Sequence, residues 1–436
     1  MQSGGVALIT AAALLMGVLL WVGLRYWQRQ RSLSARSLLR VLLVVGGLCR
    51  IGDIWFTPIF YASDEQSHFN YVKYVSENYA LPIQAGKMGE SDNEWEYFQP
   101  PLYYLTLLPI YKLADAMFHS QAATVFALRV GSLLLWLVNL RLGWVLLKRL
   151  EVKDEFLQVS TLAVTCLLPT YVVVSSAINN DNLMITFATG LLCLIAQPQR
   201  SIMNSLAMGA VLGLALWVKQ SALIFFPAIG LLFLFEGVRR NISWPGVLSR
   251  AASTFGVAAL IYSPWSFRNW YVYETFTPED LSVVAKTWPS MMEGLLAAGH
   301  NLAKTFWSVS GISNNIGYPF PLLGLSYGFI AICGLVIGLK QNPEPLARFP
   351  ALPMSSVYAA IGVAILVNVI LVLRFGYLYG MGHGRELFPL LYPIAILLAW
   401  GVKFIPARNP SLHVVGFWIT YTLGFEAFSL ARFATV

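Results

Sequence analysis

Apolar positions in this chain gather into long unbroken runs rather than the alternation of strands or the stripes of soluble helices. Such runs lie near 5–24, 38–60, 121–147, 156–178, 183–197, 202–218, 220–237, 247–265, 321–339, 355–375, 387–403 and 412–431. Each is long enough, or nearly so, to cross roughly 30 Å of hydrocarbon as a helix. The pattern predicts an all-α polytopic membrane protein with about twelve transmembrane helices, 183–197 and 202–218 being the shortest. Two polar intervals interrupt it, at about 61–120 and 266–320. Within the first, Asp64 to Tyr79 reads as an amphipathic interfacial helix, with Asp64, His68 and Tyr71 on one face. A second apolar segment of that interval follows Pro100 and contains Pro109.

Charge orients the chain. Arg25, Arg29, Arg31, Arg36 and Arg40 follow the first run. By alternation the same side receives Lys148, Arg149 and Lys153, then Arg200, Arg239, Arg240 and Arg250, then Lys340, Arg348, Lys403 and Arg408. Excess Lys and Arg mark the cytoplasmic side. The two long intervals then face the extracytoplasmic side of a plasma (inner) membrane, and they hold twelve of the 21 acidic residues, eight in the first and four in the second. Composition agrees with the class: 57% of residues are hydrophobic and 11% charged, against roughly 25% charged in soluble domains. The net charge of +8 lies mostly in short turns, so it is a topology signal and not a nucleic-acid surface. Cys49, Cys166, Cys193 and Cys333 are widely spaced within apolar runs, which is neither a disulfide framework nor a metal-ligand spacing.

Candidate chemistry clusters at the outer boundary. Asp64 and Glu65 follow directly on a membrane exit, with His68 one turn later. Acidic residues at a helix start also complement the helix dipole, but a carboxylate here could act as general base toward a hydroxyl. Asp64 and Asp181 could together hold a divalent cation, Mg2+ or Mn2+. Asp181 lies in the turn Asn179-Asn180-Asp181-Asn182, whose residues are also ordinary turn formers. Lys219 occupies the next outer turn, where a snorkelling lysine is common. Arg268, beside Trp265 and Trp270, and Arg385, after His383 and Gly384, could clamp a phosphate through paired donors, or anchor the interface.

With these residues in view the chain resembles the GT-C superfamily of glycosyltransferases, which includes protein O-mannosyltransferases and the lipid A aminoarabinose transferase. The resemblance runs from about residue 40 to 405. It rests on Asp64-Glu65, Pro100 to Tyr104, Asn180-Asp181-Asn182, Lys219, the exit Pro264-Trp265 with Arg268-Asn269, and Arg385 with Pro389. It implies a polyprenyl-phosphate sugar donor and a lipid, glycan or protein acceptor. It further implies Asp64, Glu65 and Asp181 as catalytic candidates, with His68, Gln99, Tyr103, Lys219, Arg268, His383 and Arg385 as substrate-binding candidates. The expected organisation is an extra transmembrane helix and basic turn at 1–37, a GT-C-like catalytic module at 38–405, and a transmembrane helix at 406–436. Gln99 stands where relatives often carry His or Lys before Pro-Pro, and Glu386 where Tyr is common. A transporter or flippase of lipid-linked sugars is the rival reading, with Arg50, Asp53, Arg129, Arg141 and Arg374 as membrane-embedded groups. A non-catalytic partner in a polysaccharide-export assembly is a third.

Overall fold

The computed structural model describes residues 18, 21, 22, 34–84, 94–197, 201–239, 241–276, 278, 285–309, 320–341, 353–407 and 409–433. The expected span at 5–24, its basic turn through Arg31, and Arg200, Arg240, Arg348 and Arg408 lie essentially outside them. Among the described residues every regular element is helical. In chain order these are α1 (Ala35–Phe56), α2 (Glu65–Asn78), α3 (Leu102–Phe118), α4 (Gln121–Arg149), α5 (Glu155–Leu167), α6 (Pro169–Val174), α7 (Asp181–Ile195) and α8 (Ile202–Leu216). They continue with α9 (Phe225–Val238), α10 (Trp244–Tyr273), α11 (Met291–Trp307), α12 (Phe320–Gln341), α13 (Pro353–Tyr379), α14 (Leu391–Lys403) and α15 (Pro410–Phe433). Two 3₁₀ turns, Gln220–Ile224 and Gly384–Leu390, lead into α9 and α14.

Local chemistry sets the boundaries. Ser34, Ser120, Asp154, Ser201, Ser243 and Ser290 each accept a backbone N–H from the first turn that follows, satisfying a donor that the helix itself leaves free. The apolar run at 156–178 is not one continuous helix. Leu168 is extended before Pro169, since a residue preceding proline is driven out of the helical region, and the chain restarts as α6. The runs at 183–197 and 202–218 yield helices of 15 residues each, about 22 Å long. Among the described residues six helical stretches are long and apolar enough to cross a membrane: 121–149, 220–238, 320–341, 354–379, 384–403 and 410–431. Three shorter apolar helices accompany them.

Close packing relies on glycine where backbones nearly touch, as lipid-embedded helices require. Gly209 and Gly213 bring α8 onto α10: a Cβ would meet the Thr254 carbonyl at 2.4 Å and Ile261 at 2.8 Å. α12 crosses α14 at Gly334 and Gly401, where a Cβ on Gly334 would lie 2.0 Å from the Gly401 carbonyl oxygen. Two of the membrane-embedded charges of the rival reading turn out to serve this packing. Buried Arg50 donates to Ser175 Oγ (2.7 Å) and to the carbonyls of Gly46 and Cys166 (3.0 and 2.8 Å), and lies 4.0 Å over the Trp136 ring. Arg129 is buried against Glu65. α15 packs into the same bundle, with Trp418 against Trp307.

The two ends of the bundle differ in chemistry as alternation requires. At one end Lys403 binds Asp154 at 2.5 Å, Tyr358 donates to the Leu150 carbonyl at 2.7 Å, and Arg239 pairs with Ser355. At the other, the segments before α2, α3, α7, α9 and α14 converge.

Candidate active site

Five turns meet at that second end, and each is shaped by its own residues. Asp64 stands just before α2 with φ 64° and ψ 0°, a left-handed conformation that costs a non-glycine residue about 1–3 kcal/mol. Its side chain makes no capping bond; it leaves the helix and pairs with Arg385. The adjacent Glu65 points the other way, into the bundle. Its Oε1 accepts from Arg129 Nε (2.8 Å) and the Ile178 amide (3.2 Å), and its Oε2 from Arg129 Nη2 (2.6 Å) and the Phe60 amide (3.0 Å). All of its acceptor capacity is used, so Glu65 anchors the turn that presents Asp64. Glu65, expected from the sequence as a catalytic candidate, is thus placed in the bundle with its oxygens fully engaged.

Asp181 opens α7, where an acid complements the helix dipole. Its amide donates to the side-chain oxygen of Asn179 at 2.8 Å, and the Asn179 amide to Tyr103 Oη at 2.9 Å. Lys219 meets it across the turn, Nζ to Asp181 Oδ1 at 2.5 Å. The Leu102 amide donates to the Trp217 carbonyl at 3.0 Å, tying the Pro100–Tyr104 element to the Lys219 turn. Gly384 lets Arg385 arrive: a Cβ there would lie 2.1 Å from the Phe306 backbone nitrogen, and its amide donates to Thr305 Oγ1 at 2.7 Å. Arg385 Nε then lies 3.9 Å from Asp181 Oδ2.

The result is a continuous chain of opposite charges, Asp64–Arg385–Asp181–Lys219. Burial opposes ionisation of Asp64, but Arg385, with smaller contributions from His68 and His383, holds its carboxyl well below the usual carboxylate range. Burial likewise opposes the charge of Lys219, and Asp181 overcomes it, raising the ammonium above its ordinary value. His68 and His383 are pushed down to about 4, burial being the main cause for each, so both are neutral at pH 7. His68 Nδ1 lies 3.0 Å from Tyr104 Oη, and Tyr104 stacks on Tyr71 with centroids 3.6 Å apart. A pocket opens beside the chain, lined by Ser63, Thr170, Asn179, Thr305, His383 and Arg385 together with valines 173 and 174. Asp181 Oδ2 is buried without a hydrogen-bond partner among the described residues.

The site thus gathers Asp64, His68, Tyr103, Asp181, Lys219, His383 and Arg385. Two candidates have other partners. Arg268 donates to the Pro82 carbonyl (2.5 Å) and lies 4.6 Å over the Trp265 ring, bracing the first loop against α10. Gln99 offers its carbonyl to Tyr71 Oη at 3.2 Å. Neither set of partners belongs to the charge chain. Thr170 and Thr305 were not singled out in the sequence, and nothing in their spacing distinguishes them. The two carboxylates expected to share a divalent cation are engaged with other partners. Asp64 and Asp181 each already face a cationic side chain, and among the described residues no group of three or more His, Cys, Asp or Glu could hold a metal ion.

No protein-family model and no curated protein matches the sequence. Solved structures do match. ArnT from Cupriavidus metallidurans in the apo state superimposes with a TM-score of 0.55 at 14% identity, covering 90% of this chain and 77% of that one. The same protein bound to undecaprenyl phosphate gives 0.52 at 15%, with 91% and 77% covered. An Archaeoglobus fulgidus oligosaccharyltransferase with a tethered acceptor peptide gives 0.51 at 10%, with 93% and 56% covered. The chain shares its fold with ArnT and with this oligosaccharyltransferase.

Proposed function

We propose that this chain is a membrane glycosyltransferase that moves a sugar from a polyprenyl-phosphate donor to a hydroxyl of a lipid, glycan or protein. The reaction takes place at the extracytoplasmic face of a plasma membrane. The observation that carries the reading is the charge chain beside the pocket: two cations suited to a phosphate, and an ionised carboxylate suited to a hydroxyl, at one end of an apolar bundle. The bound undecaprenyl phosphate of ArnT supports the same donor chemistry.

In this mechanism the acceptor oxygen attacks the anomeric carbon while Asp64 takes its proton. The bond from that carbon to the phosphate oxygen breaks, and the electron pair leaves on the phosphate. Arg385 and Lys219 stabilise the charge that develops there. Arg385 is the better placed for planar, paired contact with phosphate oxygens, while Lys219 supplies a point charge. Neutral His68 and His383 can donate or accept hydrogen bonds to the sugar without altering the charge balance. A positioned base contributes about 10²–10⁴ in rate.

The test is transfer itself. Purified protein in detergent, given a polyprenyl-phosphate sugar and a mixture of lipid and glycan acceptors, should release polyprenyl phosphate. Asp64→Asn should lose about 10²–10⁴ of that rate. Movement of the intact donor across a vesicle membrane, with no release of polyprenyl phosphate, would instead establish a flippase.

A further inference from the structure

Arg385 and Lys219, the cations proposed to take the donor phosphate, do not face empty space. Arg385 directs Nη2 at Asp64 and Nε toward Asp181, 3.9 Å away, and Lys219 lies 2.5 Å from Asp181. Each cation has a carboxylate where an incoming phosphate oxygen would have to sit. Building on the proposed function, we infer that Asp64 and Asp181 occupy the phosphate seat in the resting state, and that the lipid phosphate enters by displacing Asp64 from Arg385.

Three features of the geometry argue for displacement rather than simple addition. Asp64 and Asp181 already balance Arg385 and Lys219, and the Glu386 carboxyl lies near enough to act on both cations, so a further anion is opposed unless one carboxylate withdraws. Asp64 is the one free to withdraw. It is attached by a side-chain ion pair alone, it makes no capping bond to α2, and it is the more exposed of the two acids, at 23% against 7%. Asp181 is held by its own helix and by Lys219, yet its Oδ2 has no hydrogen-bond partner among the described residues. A second acceptor, Asp181 Oδ2, is therefore already at hand to keep Arg385 in place once Asp64 leaves.

Displacement has a chemical consequence. While paired with Arg385, the Asp64 carboxylate is a poor proton acceptor, because the guanidinium stabilises its charged form. Once a phosphate oxygen takes over Arg385, that stabilisation is lost and Asp64 becomes a better base. The base is thus made available only when the leaving group is seated. The proton of the acceptor hydroxyl goes to Asp64, and the electron pair goes to the phosphate that has replaced it.

The counterintuitive result is that removing the catalytic carboxylate should improve lipid binding. Undecaprenyl phosphate is titrated into wild type and Asp64→Asn in detergent, both checked for folding by their thermal unfolding midpoints. Loss of the competing charge should tighten binding at least about tenfold, while turnover falls. If Asp64→Asn does not fold, Asp64→Ser, which removes the same competing charge from Arg385, carries the same test and the same expectation. Affinity unchanged or weakened in the variant, with wild type binding normally, overturns the displacement. Failure of the wild type to bind undecaprenyl phosphate at all overturns the lipid-phosphate reading, and the displacement with it.

Discussion

Replacing Glu65 by Gln separates the two roles that adjacent acids could play at this membrane exit. Glu65 and Arg129 are 0% and 1% exposed, joined by two hydrogen bonds of 2.8 and 2.6 Å. Arg129 also donates to the carbonyls of Ile54 (3.0 Å), Thr57 (2.7 Å) and Pro58 (3.0 Å), closing the loop that delivers Asp64. Gln preserves the shape but removes the charge. Its amide nitrogen must then face a donor wherever it points, either Arg129 with the Phe60 amide or Arg129 with the Ile178 amide. Breaking one partner of a buried ion pair costs about 3–5 kcal/mol, a large share of a total stability of about 5–15 kcal/mol. Thermal unfolding in detergent should therefore show a midpoint lowered by several degrees, with turnover falling in proportion to the folded fraction. A Glu65→Met, Arg129→Met double variant should not recover the loss, because the carbonyls of Ile54, Thr57 and Pro58 and the amides of Phe60 and Ile178 would all lose their partners. The cycle of single and double variants measures the coupling directly. A Glu65→Gln protein of wild-type stability that has lost its turnover would refute the structural role and return Glu65 to the chemistry.

Three further outcomes are expected. Arg385→Lys keeps the charge but loses the planar pair of donors, so undecaprenyl phosphate should bind roughly tenfold more weakly in a titration; unchanged affinity would remove Arg385 from the phosphate site. Gly384→Ala places a Cβ 2.1 Å from the Phe306 nitrogen, an overpacking that costs about 1–3 kcal/mol, so thermal unfolding should occur earlier and kcat should fall as Arg385 shifts. Acidification should destabilise the fold through its buried neutral histidines. His68 titrates near 4 when folded and near 6.5 when unfolded, so the unfolded chain binds more protons across that window and stability drops as pH falls through it. The slope is roughly 1.4 kcal/mol per pH unit for His68, and melting midpoints measured between pH 7 and 5 should show a shallower dependence in His68→Gln.

Length, apolarity and the placement of Lys and Arg are local properties, and they were sufficient to read a polytopic helical membrane protein whose polar segments gather at one end. The order of Asp64, Asp181, Lys219 and Arg385 along the chain likewise carried the resemblance to the GT-C superfamily, since each sits at the same kind of turn. The number of crossings was not legible. Whether 156–178 is one helix or two depends on Leu168 and Pro169, and whether fifteen apolar residues span depends on how neighbours cover their ends. The division of labour between Asp64 and Glu65 was invisible as well, because two adjacent carboxylates look equivalent until a left-handed residue turns one toward Arg385 and leaves the other facing Arg129. Both arginines lie far away in sequence, so only the packing of α4 and the close approach allowed by Gly384 decide which acid meets which. Hydropathy can be read one residue at a time, but an ion pair is a relation between residues that only the folded chain brings together.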